Sequence, residues 1–290
     1  MPKRARVECR VTRECRVGPL LFPLLAGIVA SAAACRPSPA LRPPLSEAPG
    51  GIAALPATHE TLSAVLAGLS RTDPGGAWAP SADGALRRYL EGVARRGPMS
   101  CPELFPSNED VLAYLVNAHV AWALAVGHAA RLARSDVAAL SEEAFTVDGA
   151  RASLSSLARQ IASRAASEPR LALFINPGWR GGPPLPAAAL EGRALDWQLT
   201  VHAERCGGSP GFWLLDRGAR RLALPAYTDM IWGLPAGQPA RARRLLDLVP
   251  PPAALRDAII AVCGASLQHC VIGVTPTDTS RLFVPAAAHR

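Results

Sequence analysis

Apolar residues recur at helical spacing in several stretches of the chain. In THETLSAVLAGLSR (Thr58 to Arg71), Leu62, Val65, Leu66 and Leu69 share one face, and Thr58 is placed as an N-cap. DGALRRYLEGVARR (Asp83 to Arg96) repeats the pattern through Leu86, Leu90 and Val93. The strongest signal is SNEDVLAYLVNAHVAWALAVGHAARLA, which Ser107 can cap and whose first turn carries Glu109 and Asp110 to complement the helix dipole. Its apolar residues wrap nearly all the way round, which predicts a central buried helix. AFTVDG reads as a short strand and turn, ASLSSLARQIASRA (Ala152 to Ala165) as a helix, and RLALFIN as a buried strand or short helix. LDWQLTVHAERC (Leu195 to Cys206) reads as a helix. A hairpin follows, FWLLD (Phe212 to Asp216) and RLALP (Arg221 to Pro225) around RGAR. AYTDMIWGL is helical by pattern, and the tail offers a helix near Ala253 to Cys263 and a strand near CVIGV. The expected architecture is α+β: a single, mostly helical domain with a small antiparallel sheet.

The first residues break this pattern. Six basic residues among the first 16 (Lys3, Arg4, Arg6, Arg10, Arg13, Arg16) precede GPLLFPLLAGIVASAAAC, an uncharged apolar run that ends in small residues and Cys35. Pro19 and Pro23 sit badly in a membrane-spanning helix, so the segment reads as an export signal. The arrangement resembles a bacterial lipoprotein signal, in which the cysteine becomes the lipidated first residue. Ala32 stands where that pattern prefers Leu, which leaves plain secretion or a retained anchor helix as alternatives. Residues 1–35 are therefore expected to be the signal and 36–57 a Pro-rich linker, with the globular domain at 58–290. The expected location is the bacterial cell envelope, membrane-anchored through lipid on Cys35 or periplasmic.

Charge adds little. The chain carries +8, but with Glu8 and Glu14 subtracted the leader alone accounts for +4. Of the 31 basic residues only Lys3 is a lysine, a bias that tracks the Ala-, Gly- and Pro-rich composition. No basic stripe is interleaved with aromatics, so nucleic acid is not an expected partner. The expected partners are the membrane, through the lipid, and an envelope protein or small ligand.

Removing the leader and lipidating Cys35 leaves Cys101, Cys206, Cys263 and Cys270. An even number in an oxidising compartment permits two disulfides, Cys263 with Cys270 and Cys101 with Cys206; free buried thiols are the alternative. No C-x-x-C pair, nucleotide loop or G-x-S-x-G context is present, and Ser153, Ser155 and Ser156 therefore suggest no serine hydrolase. His119 and His128, nine residues apart on one helix, point in different directions. No metal site and no cofactor are expected.

In order and spacing, several pieces resemble the bacterial and plant domain-of-unknown-function family 547. LAYLVNAHVAWAL (Leu112 to Leu124) looks like that family's central helix, FTVDGARASLSSLA like its strand and helix, and EPRLALFINPGWRGGPPL like its Asn-Cys-Gly and Cys-Pro loop. LDWQL with FWLLDRGARRLALPAYTDMIW, and TDTS (Thr277 to Ser280), look like its later elements, so the resemblance spans about 108–282. Asn117, Arg170, Asn176, Gln198 and Asp278 stand where the family has the same residues. Pro177 and Gly182 stand where it has the two loop cysteines, and neither can act as a thiol nucleophile. The resemblance therefore implies a non-catalytic binding or interaction module. Its binding candidates are Asn176, Trp179 and Arg180 on the loop, with Arg170 before it; the structural alternative has Asn176 holding loop amides, Arg170 holding carbonyls and Trp179 packing back on the domain. A cell-envelope hydrolase that uses His119, Asn117 and Asp278 is the competing expectation, against a plain core role for His119. His202 is expected on the surface, paired with Glu204.

Overall fold

The computed structural model describes residues 59–71, 80–133, 142–175, 179–180, 182–275 and 278–282. The expected export signal, Cys35, the expected linker, the expected Thr58 cap and Asn176 lie outside the described residues. The fold is mixed α+β, with helices in the majority.

Three helices open it: α1 (His59–Arg71), α2 (Pro80–Arg95) and α3 (Asn108–Ala133). Leu62, Val65, Leu66 and Leu69 of α1 are buried, as are Leu86, Leu90 and Val93 of α2, so both apolar stripes face the core. α3 begins at a reciprocal cap. The Asp110 amide donates to Ser107 Oγ at 3.1 Å, and the Ser107 amide donates to Asp110 Oδ2 at 3.2 Å. The helix is long and apolar enough to cross a membrane, but 83% of its most apolar window is buried inside the fold. It is the axis of the core.

Strands β1 (Phe145–Val147) and β2 (Ala150–Ala152) pair antiparallel around Asp148 and Gly149, both at positive φ (51° and 75°). The turn is plugged into the end of α2: the Asp148 amide donates to Val93 O and the Gly149 amide to Ala94 O, each at 2.8 Å. Helix α4 (Leu154–Arg164) follows, and its serines have a structural task. Ser153 and Ser156 cap it reciprocally. RLALF is a 3-10 helix (Pro169–Phe174), not a strand.

Residues Trp179 and Arg180 form a two-residue strand, β3, which pairs antiparallel with β7 (Asp278–Leu282); Arg180 stands opposite Asp278. The expected loop tip is therefore a piece of sheet. Helix α5 (Leu195–Gly207) leads to strands β4 (Leu214–Asp216) and β5 (Arg221–Pro225), the expected hairpin. A short 3-10 helix (Ala226–Met230) and helices α6 (Gln238–Leu248) and α7 (Ala253–Cys263) then carry the chain back to β6 (Val271–Thr275). β6 joins β5 in parallel, so this three-stranded sheet is mixed and stands beside the expected small antiparallel pairing. A helical crossover of this kind is what a parallel pair requires.

The cysteines correct one expectation. Cys263 and Cys270 form a disulfide. Cys206 is a free, buried thiol, pushed up to about 12 mainly by that burial. Cys101 is not a free thiol and Cys206 is, so the expected Cys101–Cys206 bridge is not formed. Cys206 sits in α5 with no exposed surface, packed into the core like a small apolar residue.

Candidate functional site

Three of the expected site residues, Asn117, His119 and Arg170, are built into the packing of the fold. Asn117 lies on α3, 2% exposed, and its whole side-chain amide is used. Oδ1 accepts the Leu190 amide at 2.8 Å, and Nδ2 donates to Leu190 O at 2.9 Å and meets His59 Nδ1 at 3.1 Å. Gln198, on the first turns of α5, does the same one residue to either side: Oε1 accepts the Glu191 amide at 2.8 Å and Nε2 donates to Ala189 O at 3.0 Å. The Ala189 amide adds a bond to Ser63 Oγ at 3.0 Å. Two side-chain amides thus stand in for neighbouring strands and hold Ala189, Leu190 and Glu191 extended, satisfying polar groups that burial would otherwise strand.

His119 is two residues from Asn117. At roughly 3.6 residues per turn it projects to the opposite side of α3. It is 1% exposed, its Nδ1 has no partner among the described residues, and burial lowers its pKa to about 4. It is a neutral core residue. Asn117 and His119 are therefore not brought together, and Asp278 belongs to the β3–β7 ladder. Arg170 binds carboxylates, where carbonyls were expected. Its Nε and Nη2 take Glu168 at 2.8 and 2.6 Å, Nη2 also reaches Asp196 at 2.6 Å, and Nη1 donates to Thr200 Oγ1 at 2.8 Å. These bonds fasten the Pro169–Phe174 helix to the start of α5 and raise the guanidinium pKa further, the Glu168 bond most of all.

His202 also departs from expectation. It is buried rather than paired at the surface with Glu204: the ring lies 4.1 Å from that of Phe174, and Nε2 is 3.2 Å from Leu173 O. Burial lowers its pKa to about 4. A small hollow of about 140 Å³ lies beside it, under the exposed Trp197.

A larger cleft, about 450 Å³, opens where the clamped segment meets the starts of α1 and α3 and the end of α2. Small-molecule sites span roughly 300–1,000 Å³. His59, which sequence reasoning passed over, is its best-defined polar group. Burial lowers its pKa, opposed by the negative charge of Glu191 and then Asp110. The Asn117 amide also fixes its tautomer. Because Asn117 Oδ1 is committed to the Leu190 N–H, Nδ2 faces His59 and donates to Nδ1. The neutral ring then carries its proton on Nε2. One wall is apolar and aromatic, with Phe105 edge-on to Tyr114 at 5.1 Å. The opposite wall exists only because residue 192 is glycine: a Cβ there would land in the Asp110 carboxylate and 2.7 Å from the Asp110 amide. A histidine in the first turn of a helix is disfavoured when charged, and that misfit was the one sequence signal that pointed to His59.

The cleft supplies a fixed N–H donor, carboxylates on one side and an aromatic wall on the other, an arrangement suited to holding a small polar molecule. No protein-family model, curated protein or solved structure matches the chain.

Proposed function

We propose that this chain is an exported, lipid-anchored binding module of the cell envelope, a divergent relative of the domain-of-unknown-function family 547, and that the cleft around His59 is where it binds. The observation that carries the reading is the use of Asn117. A buried amide that spends every hydrogen bond on the cleft wall and on the orientation of His59 serves a built site. The basic leader, apolar run and Cys35 support the tether. The competing hydrolase draws no support from the geometry of its residues, since Asn117 has no free hydrogen-bonding atom and His119 is sealed in the core on the other side of α3.

Two measurements test the proposal. The wild-type chain is expected in the membrane fraction and Cys35→Ala in the soluble fraction; equal distribution removes the tether. In ligand-observed NMR against small envelope components, binding is expected to depend on His59→Leu. Hydrolytic turnover lost in a folded His119→Ala variant would favour the hydrolase instead.

A further inference from the structure

The charge and hydrogen-bonding character of the cleft, whose role as a binding site rests on the reading above, narrow what it can hold. Three carboxylates, Glu60, Asp110 and Glu191, line it against two arginines. One of these, Arg193, is largely exposed and already paired with Glu191 Oε2 at 3.0 Å. The other, Arg96, follows the last residue of α2 and already has an interaction of its own. His59 brings no positive charge near neutral pH, because burial favours the neutral ring. With His59 neutral, the balance of the lining is negative.

The acids are also held in place. Asp110 Oδ2 accepts from the Ser107 amide and hydroxyl, at 3.2 and 2.6 Å, and Oδ1 lies against Gly192. Glu191 is fixed through its own amide by Gln198, and no described residue hydrogen-bonds to its Oε1. Beside them His59 offers one N–H, on Nε2, and an N–H donor calls for an acceptor such as a carbonyl oxygen. On the apolar wall, Leu104 and Phe105 are the residues with surface to offer, Leu104 being 39% exposed.

We propose that the cleft binds the free amino end of a peptide or amino-acid amide. The ammonium sits against Asp110 and Glu191, the adjoining carbonyl accepts from His59 Nε2–H, and an apolar side chain lies on Leu104 and Phe105. A ligand with a free carboxylate in place of the carbonyl would face the acidic end with like charge, so the amide is preferred over the acid.

Isothermal titration of the full-length protein with L-phenylalaninamide, N-acetyl-L-phenylalaninamide and L-phenylalanine tests this. Phenylalaninamide is expected to bind at least tenfold more tightly than the acetylated amide, which lacks the cation, and more tightly than the free acid. Glu191→Gln and His59→Leu are each expected to weaken it about tenfold or more, as loss of a charge-assisted or sole hydrogen bond does; unchanged melting temperatures keep folding out of the comparison. Equal or tighter binding of the acetylated amide or the acid, or indifference to both substitutions, overturns the proposal. So does an absence of phenylalaninamide binding. In that event a different ligand lost on His59→Leu would keep the cleft as the binding site, and a chain in which His59→Leu alters no binding at all would remove that reading as well.

Discussion

Two residues on one helix, Asn117 and His119, show how differently a fold can treat a buried polar group. On the cleft side, Asn117 is satisfied at both ends of its amide and passes that order on to His59. On the core side, His119 is equally hidden, but its Nδ1 has no partner among the described residues. Burial alone therefore does not separate a site from a core. What separates them is whether the hydrogen bonds lead outward to a surface that a ligand can reach.

The largest effect should come from acid. His119 and His202 have pKa values near 4 in the folded chain against 6.5 in the unfolded one. Between those values the unfolded chain takes up protons that the folded chain refuses, so the stability these residues contribute is full above pH 6.5 and is lost as the pH falls toward 4. Each should cost about 2–3 kcal/mol by about pH 4.5. Urea midpoints at neutral and acid pH measure the loss. His119→Leu should remove about half of it, and a variant with unchanged acid sensitivity would break the contrast between the two sides of α3.

Asn117→Ala comes next. It strands the Leu190 N–H and carbonyl and frees the His59 ring, and should cost ~2–4 kcal/mol, read as a melting temperature lower by ~5–15 °C. A smaller effect is expected from Gly192→Ala, which forces the clamped segment off Asp110 at a cost of ~1–3 kcal/mol; the ligand-induced thermal shift should vanish with it. His59→Leu should be the mildest, within about 1 kcal/mol of wild type, because the ring lies at the cleft and gives up one hydrogen bond. A large loss of stability there would make His59 a core residue like His119.

The elements that carry their own caps and stripes were legible in the chain. Ser107 announced α3, AFTVDG announced β1 and its turn but not the returning strand β2, and α7 fell where its pattern placed it. Helix α6 was not foreseen, because QPARARRLLDL is mostly arginine and proline on its polar side and buries only Ala242, Leu245 and Leu246. The parallel β5–β6 pairing was hidden for a different reason: it joins strands separated by two helices, and no local pattern encodes such a partner. The site escaped in the same way. Asn117 could be picked out, but its task depends on Leu190 and His59, which are 73 and 58 residues away along the chain. His202 was misplaced because its partners, Leu173 and Phe174, lie on a different element.

The two amide clamps also bear on the order in which the molecule assembles. The segment from Ala189 to Glu191 borrows its pairing from α3 and α5, so it can dock only after both helices have met. Such contacts come late in folding and open early in unfolding. Removing Asn117 should therefore accelerate unfolding and leave the folding rate almost unchanged. Amide exchange at Leu190 and Glu191 should outpace that of the α3 backbone, and a ligand seated against His59 should slow it.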